Sequence, residues 1–145
     1  SRPSKLSTTR MSARRKARKR ALDFLYEADI RKSSALELYK GRPAEELSEG
    51  AYVETLLVGV SEHLAKIDEL IITYAQGWDL DRMPSIDRNL LRIALFEILW
   101  REDLDDKIAV SEAVELAKEL STDESAGYIN GVLGRIIALK PALAL

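Results

Sequence analysis

Residues 85–100 read SIDRNLLRIALFEILW. At about 100° per residue, the apolar side chains from Ile86 to Trp100 spread around nearly the whole circumference, which predicts a helix buried on every side. Pro84 suits its entry, since the N–H that proline lacks has no partner in a first helical turn. A central helix of this kind needs amphipathic neighbours, and the flanking sequence supplies them. Downstream of a charged turn at 101–106, Val110, Ala113, Val114, Ala117 and Leu120 share one face. Ile129, Val132, Leu133, Ile136 and Ile137 share another, within a helix expected over about 123–139. Upstream, Tyr52, Val53, Leu56, Leu57 and Val60 mark a helix at about 49–64. Ile67, Leu70, Ile71 and Tyr74 mark another at 67–76, with Gly77 as its cap and 78–83 as a connector. A short helix at 35–39 ends at Gly41, before an Arg42-Pro43 turn. No segment alternates as a strand does. The fold class is all-α, about seven helices joined by short loops.

With 145 residues the chain suits one compact domain that needs no staple. It has no cysteine, which excludes disulfides and thiolate metal sites and fits a reducing compartment. The one histidine, His63, cannot build a metal cluster and reads as a polar position on a helix. No apolar run approaches the roughly 18 residues that span a bilayer, and no signal-peptide core follows the basic end. A soluble, cytoplasmic protein with no membrane partner is expected. Walker, GxGxxG and HExxH motifs are absent. Asp79, Asp81, Asp103, Asp105 and Asp106 fall in turns without EF-hand spacing and read as solvated charges. The expectation is a non-enzyme with no catalytic residue, no metal and no cofactor.

The charge is unevenly spread. Residues 1–20 carry nine Lys or Arg and no acid, which leaves 13 basic and 24 acidic residues in 21–145. A basic arm or face that meets a polyanion is one reading, and a solubilising tail is the other. Residues 1–11 are polar and read as a disordered basic arm, with Met11 as a candidate native start. A helix is expected from Ser12, its N-cap, with Ala17, Ala21, Phe24, Leu25 and Ala28 as the core stripe. Arg15, Lys19, Leu22 and Tyr26 lie together on a second face, with Arg18 at its edge. Cations that attract phosphate and a ring that stacks on a base thus share one ridge. Tyr26 reads equally as a half-buried ring at the rim of the core.

The other end carries STDESAGYINGVLGRI, residues 121–136. Ser121 or Thr122 caps this helix, with Glu124 as the third residue of a capping box. Gly127, Gly131 and Gly134 cost helix stability, which points to close approach by a neighbouring helix or a ligand backbone. Tyr128 and Asn130 stand near the helix start, where an aromatic and an amide can stack on and hydrogen-bond an exposed base. Two ordinary first-turn residues remain the plain alternative.

RRKARKRALDFLYEADI, IDRNLLRIALFEILW, SEAVELAKEL and YINGVLGRI, in this order and spacing over about residues 12–139, resemble the NusB family of transcription antitermination factors. The resemblance implies two small helical bundles packed together, here about 12–76 and 84–139 within a single domain spanning 12–145. It implies binding to boxA, a short single-stranded element of nascent ribosomal RNA transcripts, together with the ribosomal protein NusE, in a transcription elongation complex. Carried over motif by motif, the RNA-binding residues are Arg14, Arg15, Lys16, Arg18, Lys19, Tyr26, Glu124, Tyr128 and Asn130. Glu124 would accept a hydrogen bond from a base amine. Asp87, in the helix after Pro84, is the candidate contact with the ribosomal protein, against a plain role at the helix dipole. The resemblance leaves a homodimer open. Asp106-Lys107 replaces a common proline, and Gly134 replaces the polar or acidic residue that commonly follows NGVL.

A rival reading is a protein-interaction module that serves an RNA-modifying enzyme, its basic arm incidental. Deleting residues 1–20 separates the two: the RNA binder loses its nucleic acid in a gel-shift titration, whereas the interaction module keeps its protein partner in a pull-down.

Overall fold

A computed structural model of the chain describes residues 5–43 and 50–145, with side chains from residue 13 onward. Among the described residues there are six α-helices, a short terminal 3-10 turn and no strand. The helices are α1 Lys5–Arg31, α2 Ala35–Lys40, α3 Gly50–Tyr74, α4 Ser85–Trp100, α5 Asp106–Leu120 and α6 Asp123–Leu139. Residues 1–4 of the expected arm, and the expected helix start at Glu49, lie outside the described residues. The chain divides into two compact units, Ser1–Val58 and Gly59–Leu145.

In the first unit, α1 begins at Lys5 and so runs through both Ser12, expected as its cap, and residues 5–11, expected as an unstructured arm. No glycine or proline stands between Pro3 and Ser12, so neither of the strongest helix breakers opposes propagation into residues 5–11. The expected stripe of Ala17, Ala21, Phe24, Leu25 and Ala28 is buried. Leu22, read from the wheel as part of the outer ridge, is buried as well. The helix ends where Lys32 turns to φ 53 and the Ser33 N–H reaches back to the Ala28 carbonyl at 3.0 Å, the six-to-one bond of a Schellman turn. Ser34 then caps α2, accepting from the Glu37 N–H at 3.3 Å. Tyr39 seats α2 by an edge-on contact with Phe24, centroids 5.7 Å apart, and its hydroxyl donates to the Gly50 carbonyl at 2.9 Å.

α3 is one helix of 25 residues where the sequence suggests two. The apolar stripe is interrupted only because His63 occupies the turn between Val60 and Ile67. Its imidazole stacks on the Trp100 indole at 3.9 Å and 11°, so it fills a position that periodicity reserves for an apolar residue. Gly77 follows the helix at φ 84, in the left-handed region where only glycine is unstrained.

The second unit is built around α4, which packs against α5 and α6 while α5 also packs against α6. Leu90, Leu91, Ile93, Ala94, Leu95, Phe96, Ile98 and Leu99 are all buried, as an all-round apolar helix requires. The same helix carries a polar edge. Arg92 forms a two-pronged pair with Asp68 of α3, at 2.9 and 3.0 Å, and donates to the Asn89 side chain at 3.0 Å. These contacts hold the later part of α3 to α4. They explain why the boundary between units falls inside α3 rather than in the 77–83 connector, where the two sequence-derived bundles part.

Gly59 is the close-approach point of that pairing, since a Cβ built on it would overlap the buried Phe96 ring. In an unobstructed helix Ala is favoured over Gly by about 1 kcal/mol. Here Gly59→Ala is expected to destabilise the protein by about 1–3 kcal/mol, because the ring is boxed in. Denaturant unfolding checks it, and adding Phe96→Leu is expected to recover part of the loss.

Candidate nucleic-acid interface

Among the described side chains of the arginine-rich block, Arg15 and Lys16 are exposed, while Arg14, Lys19 and Arg20 are half-buried. Tyr26 follows two turns after Lys19 on the same face, 41% exposed, so its ring is available to stack. Arg18 differs from the sequence expectation: it is 2% exposed and does not line the ridge. Tyr52 of α3 stands beside it. Its ring lies 4.6 Å from the Arg14 guanidinium carbon and 5.8 Å from that of Arg18, so one ring serves two cations one helical turn apart. Arg14 is thus held at the border of the surface and Arg18 beneath it.

The α6 residues are set by hydroxyl chemistry. Thr122, not Ser121, is the N-cap, its Oγ1 accepting from the Ser125 N–H at 2.9 Å. Ser125 is therefore the third helical residue. Glu124 stands one place earlier and exposed, so the expected capping box does not form. The Ser125 hydroxyl donates to Asp87 Oδ2 at 2.7 Å. Asp87 is 0% exposed, and its Oδ1 has no hydrogen-bond partner among the described residues. The expected contact of Asp87 with the ribosomal protein falls on a side chain that is buried within the second unit. It sits in the first turn of α4, where the helix N-terminus favours a negative charge, and ties that turn to the first turn of α6.

Tyr128 lies one turn beyond Glu124, on the same side of α6, and is half-buried. Its ring packs on Trp78 with centroids 4.6 Å apart and planes tilted by 32°. Burial pushes the phenol above its ordinary pKa, opposed by the positive charge of Arg135. The hydroxyl oxygen has no partner among the described residues. Asn130 is exposed but lies about 200° around the helix from Tyr128, so the two do not converge. It lines a groove of about 320 Å³ with Asp106, Lys107, Val110, Ser111 and Val114 of α5. Gly127, Gly131 and Gly134 meet no neighbouring helix: a Cβ added to any of them would touch nothing within 4 Å. They form a smooth exposed strip between the Asn130 and Glu124–Tyr128 flanks.

Three participants escaped the sequence reading. Tyr52 was legible only as a core residue, because periodicity does not say which side chain covers it. Ser125 gave no signal until the cap was fixed at Thr122. Trp78 did leave a mark, a large aromatic in a short loop with no apolar pattern around it.

A family model described as the NusB family matches residues 15–138. The transcription antitermination protein NusB of Salinispora arenicola (strain CNS-205) is 52% identical over 132 residues, covering 87% of this chain and 96% of that protein. The structure of T. maritima NusB superposes with a TM-score of 0.79 at 30% identity, over 86% of this chain and 90% of that one. The NusB chain of a complex of the antitermination factors NusB and NusE with dsRNA, 23% identical, shares the fold, with a TM-score of 0.71 over 88% of this chain and 98% of that one.

The Asp87–Ser125 bond gives a direct expectation. Ser125→Ala leaves a buried carboxylate without its donor and is expected to cost about 1–3 kcal/mol or more. Thermal unfolding of Ser125→Ala, of Asp87→Ala and of the double variant checks it, the double change costing less than the sum of the two.

Proposed function

The chain belongs to the NusB family, and on that footing we propose that it is a non-enzymatic transcription antitermination factor that binds boxA-like single-stranded RNA of ribosomal RNA transcripts together with the ribosomal protein NusE. The observation that carries the reading is the ridge of α1, where exposed Arg15 and Lys16 and half-buried Lys19 lead to the exposed Tyr26 ring. Lys and Arg bring in the phosphate backbone without regard to sequence, and unpaired bases stack on aromatic rings.

Arg14 belongs to the same cationic face, steadied by Tyr52, while Arg18 acts from beneath as its support. In the second unit Tyr128 stacks on a base. Glu124 accepts from a base amine, as a carboxylate can do only where no phosphate lies beside it. Asn130 takes a separate nucleotide on the other flank of α6, and the bare glycine strip between lets a sugar-phosphate backbone approach the helix closely. The NusE contact is assigned to the start of α4, whose first turn Asp87 holds in place. No helix among the described residues is long and apolar enough to cross a membrane. The reading puts the protein in the cytoplasm, where transcripts are made.

About six phosphate contacts imply a loss in affinity on the order of a thousandfold between about 50 and 200 mM salt on duplex DNA, and less on single strands. The double variant Arg15→Glu/Lys19→Glu is expected to abolish binding of boxA-like RNA in gel-shift titrations and to keep the helical circular-dichroism spectrum of the parent. Parental affinity in that variant would remove the ridge from the site.

A further inference from the structure

Trp78 stands in the connector after α3, half-buried, with Tyr128 against its ring. The same indole lines a cavity of about 450 Å³ together with Ile72, Asp79, Leu80, Asp81 and Arg82. That volume falls in the range of small-ligand sites, roughly 300–1,000 Å³. The wall is braced. Arg88 of α4 donates to the Leu80 carbonyl at 2.9 Å, the Met83 N–H reaches the Asp79 carbonyl at 2.9 Å, and the Met83 side chain is buried. The cavity is an open cleft on the second unit, with Ile72, Asp79, Asp81 and Arg82 exposed along it, and is separate from the α5–α6 groove beside Asn130.

Its chemistry selects one kind of occupant. Trp78, Ile72 and Leu80 offer apolar surface to a flat ring. Asp79 and Asp81 are exposed carboxylates, which only accept hydrogen bonds and repel phosphate. Arg82 pairs with Asp79 at 3.8 Å with both side chains largely solvated, a weak contact that a ligand can displace. A planar group with N–H donors on its edge satisfies all of these at once. We propose that this cavity is a nucleobase subsite in which an unpaired base stacks on Trp78 and donates its edge to Asp79 and Asp81. Guanine is the best match, since its imino and amino groups present two adjacent donors to a carboxylate. The inference deepens the RNA-binding reading and rests on it: the base enters from the strand engaged by Tyr128, and Trp78 both fixes the Tyr128 ring and extends it into a two-ring platform.

The chain has two tryptophans, so Trp100→Phe leaves Trp78 as the sole indole emitter. Short single-stranded RNAs are titrated into that protein, each guanine-containing strand matched by one with inosine, which lacks the amino group. Binding is expected to quench Trp78 emission and to shield it from acrylamide, with the inosine strand bound more weakly. Trp78→Ala is expected to weaken binding roughly ten- to a hundredfold, the range of one base stacked on an aromatic ring, while Trp78→Phe keeps most of the affinity. Asp79→Asn/Asp81→Asn is expected to erase the preference for guanine over inosine. RNA bound at parental affinity with Trp78 emission and acrylamide access unchanged would overturn the subsite and leave the RNA-binding reading standing. Quenching with equal affinity for guanine and inosine strands would overturn the edge contact. No binding of any RNA by the parent protein would sink the reading itself. The emission measurement keeps the test decisive even if Trp78→Ala fails to fold.

Discussion

Asp87 holds its carboxylate inside the second unit, where its Oδ2 accepts from the Ser125 hydroxyl at 2.7 Å. A buried charge costs several kcal/mol unless hydrogen bonds and local dipoles offset it, so this arrangement persists only while the first turns of α4 and α6 stay together. Everything downstream inherits that restraint. Thr122 closes the start of α6, Ser125 is pinned to Asp87, and Tyr128 follows within one turn, its ring against Trp78. The surface that carries Glu124 and Tyr128 is therefore positioned by a bond buried beneath it.

The helical class, the buried α4 and the α1 core stripe were legible because each rests on periodicity, which is a property of the chain alone. What periodicity gives is an angle around an axis, and it stays silent about what stands opposite. Arg18 and Leu22 show the gap: Leu22 falls on the predicted ridge and Arg18 at its edge, and both are buried. His63 shows the reverse, a polar residue that occupies a core position by stacking and so makes one helix look like two. In the candidate site, the exposure of Arg15 and Lys16 could be read from sequence, whereas Tyr26 was legible only as a ring on the ridge or at the rim of the core. The burial of Asp87 could not be read, since a first-turn acid looks the same in sequence whether it faces solvent or the interior.

Cations meet aromatic rings at two levels in the first unit. Tyr52 lies under Arg14 and Arg18, and Phe24 lies 5.0 Å from the Arg20 guanidinium carbon. Guanidinium groups held over rings have already lost part of their rotamer freedom. Lys16, by contrast, is exposed. The arginine-rich block thus combines side chains fixed over rings with one that stands free of them.

α6 places three glycines along its exposed strip, each worth roughly 1 kcal/mol against helix relative to alanine. A segment of 17 residues so burdened would be mostly coil as an isolated peptide. It is helical because Ile129, Val132, Leu133 and Ile136 are buried within the second unit. Detachment and melting of this segment are consequently a single all-or-none event. Its outward-facing side chains are either displayed in full register or not displayed at all.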